Sequence, residues 1–326
     1  MIDPQARAVL DHLARLGIAP VDRIPAPEAR RQYRETRAPL RPPAPQLPLV
    51  RDLSADGETG SIPLRLYRPS DGILPALIYF HGGGWVVGDL DTHDVVCRQF
   101  AAQAGVIVVA VDYRLAPEHP FPAAVDDCWS ATTWVAANSV SLGIDSARIA
   151  VGGDSAGGGL AAVMTLMARD ASGPALAFQA LVYPVTDLRT ESVSYSKYGE
   201  GYGLTGNMMR WYVAQYAPTP EDVLDWRASP LLAASLSGVP PALVITAGLD
   251  PLRDEGEAYA RRMEETGVAV DYMSLGGMVH GFLTMGGKID TANRAVSHIA
   301  SALRQCLASS SSMGSEGSRG SGGPVQ

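Results

Sequence analysis

Apolar residues are not spread evenly along the 326 positions of the chain. Near the N-terminus, Ala6, Val9, Leu10, Leu13 and Leu16 recur at helical spacing and stop at Gly17, which predicts one amphipathic helix. Residues 24–48 lose that period. They are rich in Pro and Arg and predict a short helix or irregular arm, with the cluster around Arg30, Arg31 and Arg34 as a solvated face. From Leu49 the period changes to two. Val50 to Ser54 and Ile62 to Arg68 alternate as half-exposed strands, with Ala55 to Gly60 as the turn between them. Continuous apolar runs follow, at Pro75 to Phe80, Gly105 to Val111, Ile149 to Val151, Phe178 to Tyr183, Ala242 to Ala247 and Val268 to Met273. Such runs mark strands buried on both faces. Helical patterns such as Asp94 to Gln103 and Pro122 to Asn138 separate most of them. This alternation predicts an α/β fold, with a mostly parallel central sheet and helices on both faces.

Two stretches break the alternation. Residues 185–235 are far too long for a simple connection between strands. They carry Tyr195, Tyr198, Tyr202, Trp211, Tyr212 and Tyr216, and predict an insertion with a helix near Met208 to Tyr216 over the carboxyl edge of the sheet. Beyond Ala308 the chain is Ser- and Gly-rich and reads as a flexible tail. The expected organisation is an arm over 1–45, a core over 46–184 and 236–308, an insertion over 185–235 and a tail over 309–326.

Composition narrows the class. Hydrophobic content of 46% with 18% charged residues fits a globular protein with a large core. The net charge of −8 and the lack of a long basic run argue against nucleic acid as a partner. Cys97, Cys128 and Cys306 are far apart and form no CxxC pair, so neither a metal site nor a disulfide framework is indicated. The N-terminus lacks a signal-like pattern and no apolar run approaches a membrane span, so a cytoplasmic protein without membrane contact is expected.

The chemistry concentrates around Gly153-Asp154-Ser155-Ala156-Gly157, a G-x-S-x-G run between an apolar strand and a small-residue helix. A serine pushed out on so tight a turn leaves no room for side chains two residues either side. Upstream, His81-Gly82-Gly83-Gly84 follows a buried strand directly. Its glycines can aim N–H groups into a cavity, which makes Gly83 and Gly84, with Ala156 beside the serine, candidate oxyanion donors. His81 is expected to order this loop rather than transfer protons. In a chain order of Ser, acid, His, only His280 and His298 can serve as base. His298 lies in a helical stretch, whereas His280 lies in a glycine-flanked loop after a strand. Asp250, at the end of the Ala242 to Ala247 run, is the preferred acid. Asp254 and Glu255 are expected to open the next helix, and Asp187 is a more distant alternative.

His81-Gly-Gly-Gly84, Asp112 to Pro122, Gly153-Asp-Ser-Ala-Gly157, Asp250 to Asp254 and His280-Gly-Phe282 occur in this order. Together they resemble the bacterial hormone-sensitive-lipase family of esterases, family IV, over about residues 5 to 307. The resemblance implies an α/β-hydrolase core and a helical cap built from the arm and the insertion. It also implies serine carboxylesterase activity without a cofactor or metal, on a small-molecule ester. Ser155 would be nucleophile, His280 base and Asp250 acid, with Gly83, Gly84 and Ala156 as the oxyanion hole. A homodimer is implied as well, and the Asp112 to Pro122 run would be mainly structural. An amidase or lactonase would use the same triad, and a non-catalytic binding protein the same pocket. Placed over Ser155, the insertion's aromatics with Leu13 and Leu16 would close the pocket at finite depth, favouring short- to medium-chain acyl groups.

Overall fold

Leu74–Phe80 has no charged side chain, and its residues point alternately into two separate cores. In a computed structural model of the protein, Ala76, Ile78 and Phe80 join one apolar cluster while Leu77 and Tyr79 join the other. A strand of this kind needs cover on both faces. The structure describes residues 1–58, 60–189 and 192–308. The Ser- and Gly-rich stretch expected as a tail lies outside them, as do Thr59, Thr190 and Glu191.

The strands are β1 (Leu49–Gly57), β2 (Gly60–Arg68), β3 (Leu74–Phe80), β4 (Ile107–Val111), β5 (Ile144–Asp154), β6 (Phe178–Val182), β7 (Ala242–Leu249) and β8 (Val270–Val279). They form a single sheet in the order β1-β2-β4-β3-β5-β6-β7-β8. The β1–β2 and β2–β4 pairs are antiparallel and the remaining pairs parallel. The helices are α1 (Pro4–Arg15), α2 (Ala26–Arg37), α3 (Asp94–Ala104), α4 (Ala123–Ala137), α5 (Ser139–Leu142), α6 (Ala156–Asp170), α7 (Val193–Tyr198), α8 (Gly206–Tyr216), α9 (Pro220–Leu224), α10 (Arg253–Glu265) and α11 (Asp290–Cys306). Helices α4, α6 and α10 supply the core on one face, and α3 and α11 the core on the other.

Several boundaries move in ways that matter for the site. The strand before the serine is longer than its apolar run, because Gly152, Gly153 and Asp154 continue the ladder with β6. Helix α6 begins at Ala156, immediately after the serine, so the last two residues of the motif are already helical. Strand β8 does not stop at Met273 but runs through Gly276 and Gly277 to Val279. Those glycines read as loop in the sequence. In the sheet Gly276 lies where Gly248 of β7 passes close, since a β-carbon on Gly248 would stand 2.4 Å from Gly276 Cα, and Gly277 faces Asp3 of the arm.

The arm is more ordered than its composition suggests. Asp3 caps α1, accepting from the amides of Gln5 at 2.8 Å and Ala6 at 3.3 Å, with Pro4 at the first helical position. Ala6 and Val9 are buried in the α3–α11 core. The arginine cluster of α2 is not simply a solvated face. Arg30 donates to the carbonyls of Val86 and Ala116, both at 2.8 Å, and pairs with Glu118 at 2.5 Å. Arg34 pairs with Asp89. Both partners reach across more than fifty positions, a distance at which local pattern says nothing.

Candidate active site

The tight turn at Ser155 is built by what its neighbours lack. A β-carbon on Gly157 would stand 1.9 Å from the Phe80 carbonyl oxygen, and one on Gly153 would stand 2.4 Å from the Gly157 backbone. Only glycine at both positions lets β5 turn into α6 against the end of β3. The serine between them is held at φ 57 and ψ −123, a sparsely populated conformation for a side-chain-bearing residue. The helix that follows aims its N-terminal amides at the hydroxyl.

His280 and Asp250 come from the ends of β8 and β7, adjacent strands. The serine hydroxyl lies 2.8 Å from His280 Nε2, and His280 Nδ1 lies 2.7 Å from Asp250 Oδ2. An ionised carboxylate only accepts, so Nδ1 carries the proton and Nε2 is left to accept from Ser155. Asp250 is fully buried, and its other oxygen accepts from the Leu252 amide at 2.9 Å. The structure thus brings Ser155, His280 and Asp250 into one hydrogen-bonded chain. The other carboxylates considered lie elsewhere. Asp187 pairs with Arg189 at 3.0 Å, and Asp254 accepts from the Ser194 amide at 2.8 Å. Glu255 does more than open a helix. It is buried, accepts from the amides of Thr186 at 2.8 Å and Asp187 at 3.3 Å, and burial pushes its carboxyl well above the usual range. His298 sits on α11, 3.3 Å from Asp271.

The glycine run lies across from this chain. The Gly83 carbonyl accepts from the amides of Val86 at 3.1 Å and Val87 at 2.9 Å, so the loop folds back on itself. Among the described residues the amides of Gly83, Gly84 and Ala156 have no acceptor. Gly84 has φ 59, and a β-carbon there would collide with the Tyr212 ring. Trp85, the next residue, stacks on Tyr216 of α8 with ring centroids 4.1 Å apart and planes 4° from parallel. The loop is therefore bound to α8 at two consecutive positions.

A buried polar cluster beneath the loop escaped sequence reasoning. Asp154, between Gly153 and Ser155, accepts from the Gly82 amide at 3.0 Å and from the Tyr79 hydroxyl at 2.8 Å. His93 Nε2 lies 3.2 Å from the same carboxylate, an ion-pair distance but off the line of a good hydrogen bond. Burial alone would raise the Asp154 pKa. The facing imidazole of His93, with hydrogen bonds from the Tyr79 hydroxyl and the Gly82 amide, brings it down to about 2. One carboxylate thus ties the serine turn to the glycine loop. The signal was present as an Asp inside the motif, but its partner His93 stands sixty positions upstream. His81 is also buried. The Tyr113 hydroxyl donates to its carbonyl at 2.7 Å, and the Tyr113 ring stacks on its imidazole at 4.4 Å. Burial first, and the charge of His93 second, lower the His81 pKa to about 4, so the ring is neutral at pH 7.

Ser155 and His280 open into a cavity of about 930 Å³ lined by residues of α1, α2, the 193–212 segment and the 3₁₀ turn at Phe282–Met285. Of the aromatics expected there, Tyr195 and Tyr212 line it. Tyr198 and Tyr202 instead pack edge-on against each other, with Arg253 over the Tyr198 ring, and Trp211 packs edge-on against Tyr212. Leu13 lines the cavity, whereas Leu16 is exposed. Tyr33, Met208 and Met209 line it without having been singled out from the sequence. No group of three metal-ligating side chains occurs among the described residues, and none of their helices is long and apolar enough to cross a membrane.

Comparison with known proteins agrees with this architecture. A family profile described as alpha/beta hydrolase fold matches residues 77–284. The carboxylic ester hydrolase LipN of Mycobacterium tuberculosis is 47% identical over 267 residues, covering 78% of this chain and 71% of that protein. The ethyl acetate hydrolase of Pseudomonas putida is 43% identical over 298 residues, covering 89% and 93%. Among solved structures, the ester-hydrolase EH1AB1 from the metagenome of Lake Arreo superposes with a TM-score of 0.91 at 41% identity, covering 94% of this chain and 99% of that one. An esterase of Pyrobaculum calidifontis superposes with a TM-score of 0.87 at 42% identity. The chain belongs to the alpha/beta-hydrolase-fold family, in its hormone-sensitive-lipase-like branch, family IV.

Proposed function

We propose that the protein is a serine carboxylesterase acting through an acyl-enzyme. His280 takes the proton from Ser155 as the hydroxyl attacks the ester carbonyl. Asp250 fixes the imidazole orientation and stabilises its charged form. The oxyanion develops against the amides of Gly83, Gly84 and Ala156, and α6 adds its positive end. His280 returns the proton to the departing alcohol, then activates water for the second half-reaction. The observation that carries this reading is the continuous chain from Asp250 to His280 to Ser155, at 2.7 and 2.8 Å.

In this reading residues 1–45 and 185–235 act as a cap over the core, because α1, α2, α7 and α8 supply the walls of the cavity above Ser155. Short- to medium-chain acyl esters fit it best, since each buried methylene gains about 0.8 kcal/mol only until the walls are reached. Three free thiols fit a reducing compartment and hence the cytoplasm. A homodimer, which the resemblance implies, is checked by the mass of the particle in solution. The test of the function is Ser155→Ala, expected to lower kcat on 4-nitrophenyl butyrate by roughly 10⁴–10⁶ while leaving the fold unchanged. Undiminished turnover by the purified variant would remove Ser155 from the role of nucleophile.

A further inference from the structure

Helix α2 carries four arginines, and three of them are matched to carboxylates. Arg30 pairs with Glu118, Arg31 with Glu28 at 3.5 Å, and Arg34 with Asp89. Arg37, at the C-terminal end, is not. Among the described residues no carboxylate lies within ion-pair distance of it. Its guanidinium lies over the Tyr33 ring at 5.4 Å, and its one hydrogen bond is to the sulfur of Met285 at 3.7 Å. A thioether is a weak acceptor, so the planar fork of donors is almost wholly unused by the protein.

The side chain is half-buried and lines the same cavity as Ser155 and His280. Its Nη2 lies 3.8 Å from where a β-carbon on Gly281 would stand, one residue beyond His280. Its charge lowers the phenol pKa of Tyr183 and of Tyr212, against the larger effect of burial. The Tyr183 ring lies 4.7 Å from that of His280, and Tyr212 covers Gly84. Arg37 is thus within electrostatic reach of both sides of the reacting centre. Asp11, Asp22 and Glu200 also line the cavity, but none of them lies within ion-pair distance of Arg37.

A guanidinium presents a rigid fork that matches a carboxylate through two parallel hydrogen bonds. We propose that Arg37 receives a carboxylate carried by the ester substrate, so that the enzyme prefers monoanionic esters, such as half-esters of dicarboxylic acids or esters of hydroxy acids. This rests on the esterase reading of the same site. The carboxylate stays ionised and unreacted through both half-reactions, and Arg37 holds it while Ser155 attacks the ester carbonyl elsewhere in the molecule.

Two matched substrate pairs test this. Mono-4-nitrophenyl glutarate is compared with 4-nitrophenyl 5-oxohexanoate, which places an acetyl group where the acyl-side carboxylate stands. 4-Acetoxybenzoate is compared with 4-acetoxyacetophenone, which does the same on the alcohol side. Within each pair, the ratio of kcat/KM for the anionic over the neutral ester is measured in wild type, Arg37→Met and Arg37→Lys. Both members report on the same active fraction, so a loss of folded protein cancels. In at least one pair the ratio falls about tenfold or more in Arg37→Met, and Arg37→Lys keeps part of it. Which pair responds tells which side of the ester the carboxylate occupies. Ratios unchanged within about twofold in both pairs would overturn the anionic subsite and leave the esterase reading standing. No hydrolysis of any of the four esters by wild type would sink the esterase reading, and the subsite with it.

Discussion

Asp154 shows how much a single side chain can carry without touching substrate. It holds the Gly82 amide at 3.0 Å while its own backbone leads into Ser155, so in the proposed mechanism it sets the distance between nucleophile and oxyanion donors. Asp154→Asn leaves an acceptor for the amide but removes the carboxylate that faces His93 at 3.2 Å. The expected result is a drop in kcat of roughly 10- to 100-fold with KM little changed, since a displaced oxyanion donor costs about 10²–10³ at most. A rise in KM at constant kcat would place its effect on binding instead. The acids separate in the same way. Asp250→Asn is expected to lower kcat on the order of 10⁴-fold by misorienting His280. Asp254→Asn is expected to change activity by less than about tenfold, because it serves the Ser194 amide at the start of α7. Reversed ranks in steady-state kinetics would reassign the acid. The residues at Ser155 were legible because close contact at Gly153 and Gly157 is a local demand that leaves a local mark. Asp154 and His93 were not, because nothing local distinguishes a buried ionic partner from a solvated charge.

At the scale of elements, the same contrast recurs. The apolar runs found the buried strands, but Gly276 and Gly277 hid the end of β8: a β-carbon on Gly276 would meet nothing within 4 Å, and one on Gly277 would meet Asp3 of the arm at 3.2 Å, a neighbour far away in sequence. Helix α1 is legible in its period, but residues 24–48 are left open between a short helix and an irregular arm, because the partners that order α2, such as the carbonyls of Val86 and Ala116, lie in another part of the chain. The arm's contribution to the cavity can be measured. Tyr33, Leu10 and Leu13 are cavity walls, and they leave with the arm. Full-length protein is expected to show maximal kcat/KM on 4-nitrophenyl esters of roughly four to eight acyl carbons. With residues 1–40 removed, the ranking from acetate to palmitate should flatten. A folded truncation with an unchanged ranking would show that α1 and α2 do not shape the pocket, and a full-length maximum at palmitate would show that the pocket is not finite.

Across the whole molecule, buried titrating groups oppose one another. His81 has its pKa lowered to about 4, so between the unfolded value near 6.5 and pH 4 the unfolded chain binds the proton and the native state does not. Stability from this group is therefore lost as pH falls through that window, by about 3 kcal/mol in all. Asp112, pushed up to about 6 by burial and by Asp89, acts in the opposite sense: its native state takes up a proton first, and stability is lost as pH rises. The overall stability curve thus conceals both. A comparison of wild type with His81→Gln by urea unfolding at pH 7 and pH 4 isolates one of them. The stability advantage of wild type should shrink by about 3 kcal/mol between the two values, and a constant difference would mean that His81 titrates normally in the folded protein.

The stack of Trp85 on Tyr216 joins the residue after the glycine loop to the end of α8. Of the five tryptophans, Trp85 is the one buried in the core, while Trp129, Trp134, Trp211 and Trp226 are partly buried. Its indole is dry and sandwiched only while α8 stays down. Any lifting of that helix, to admit an ester or release an acid, parts the rings and wets the indole. With the other four tryptophans replaced by phenylalanine, the emission wavelength of Trp85 becomes a built-in optical gauge of the position of α8, read in stopped flow on the same timescale as turnover and without any attached dye.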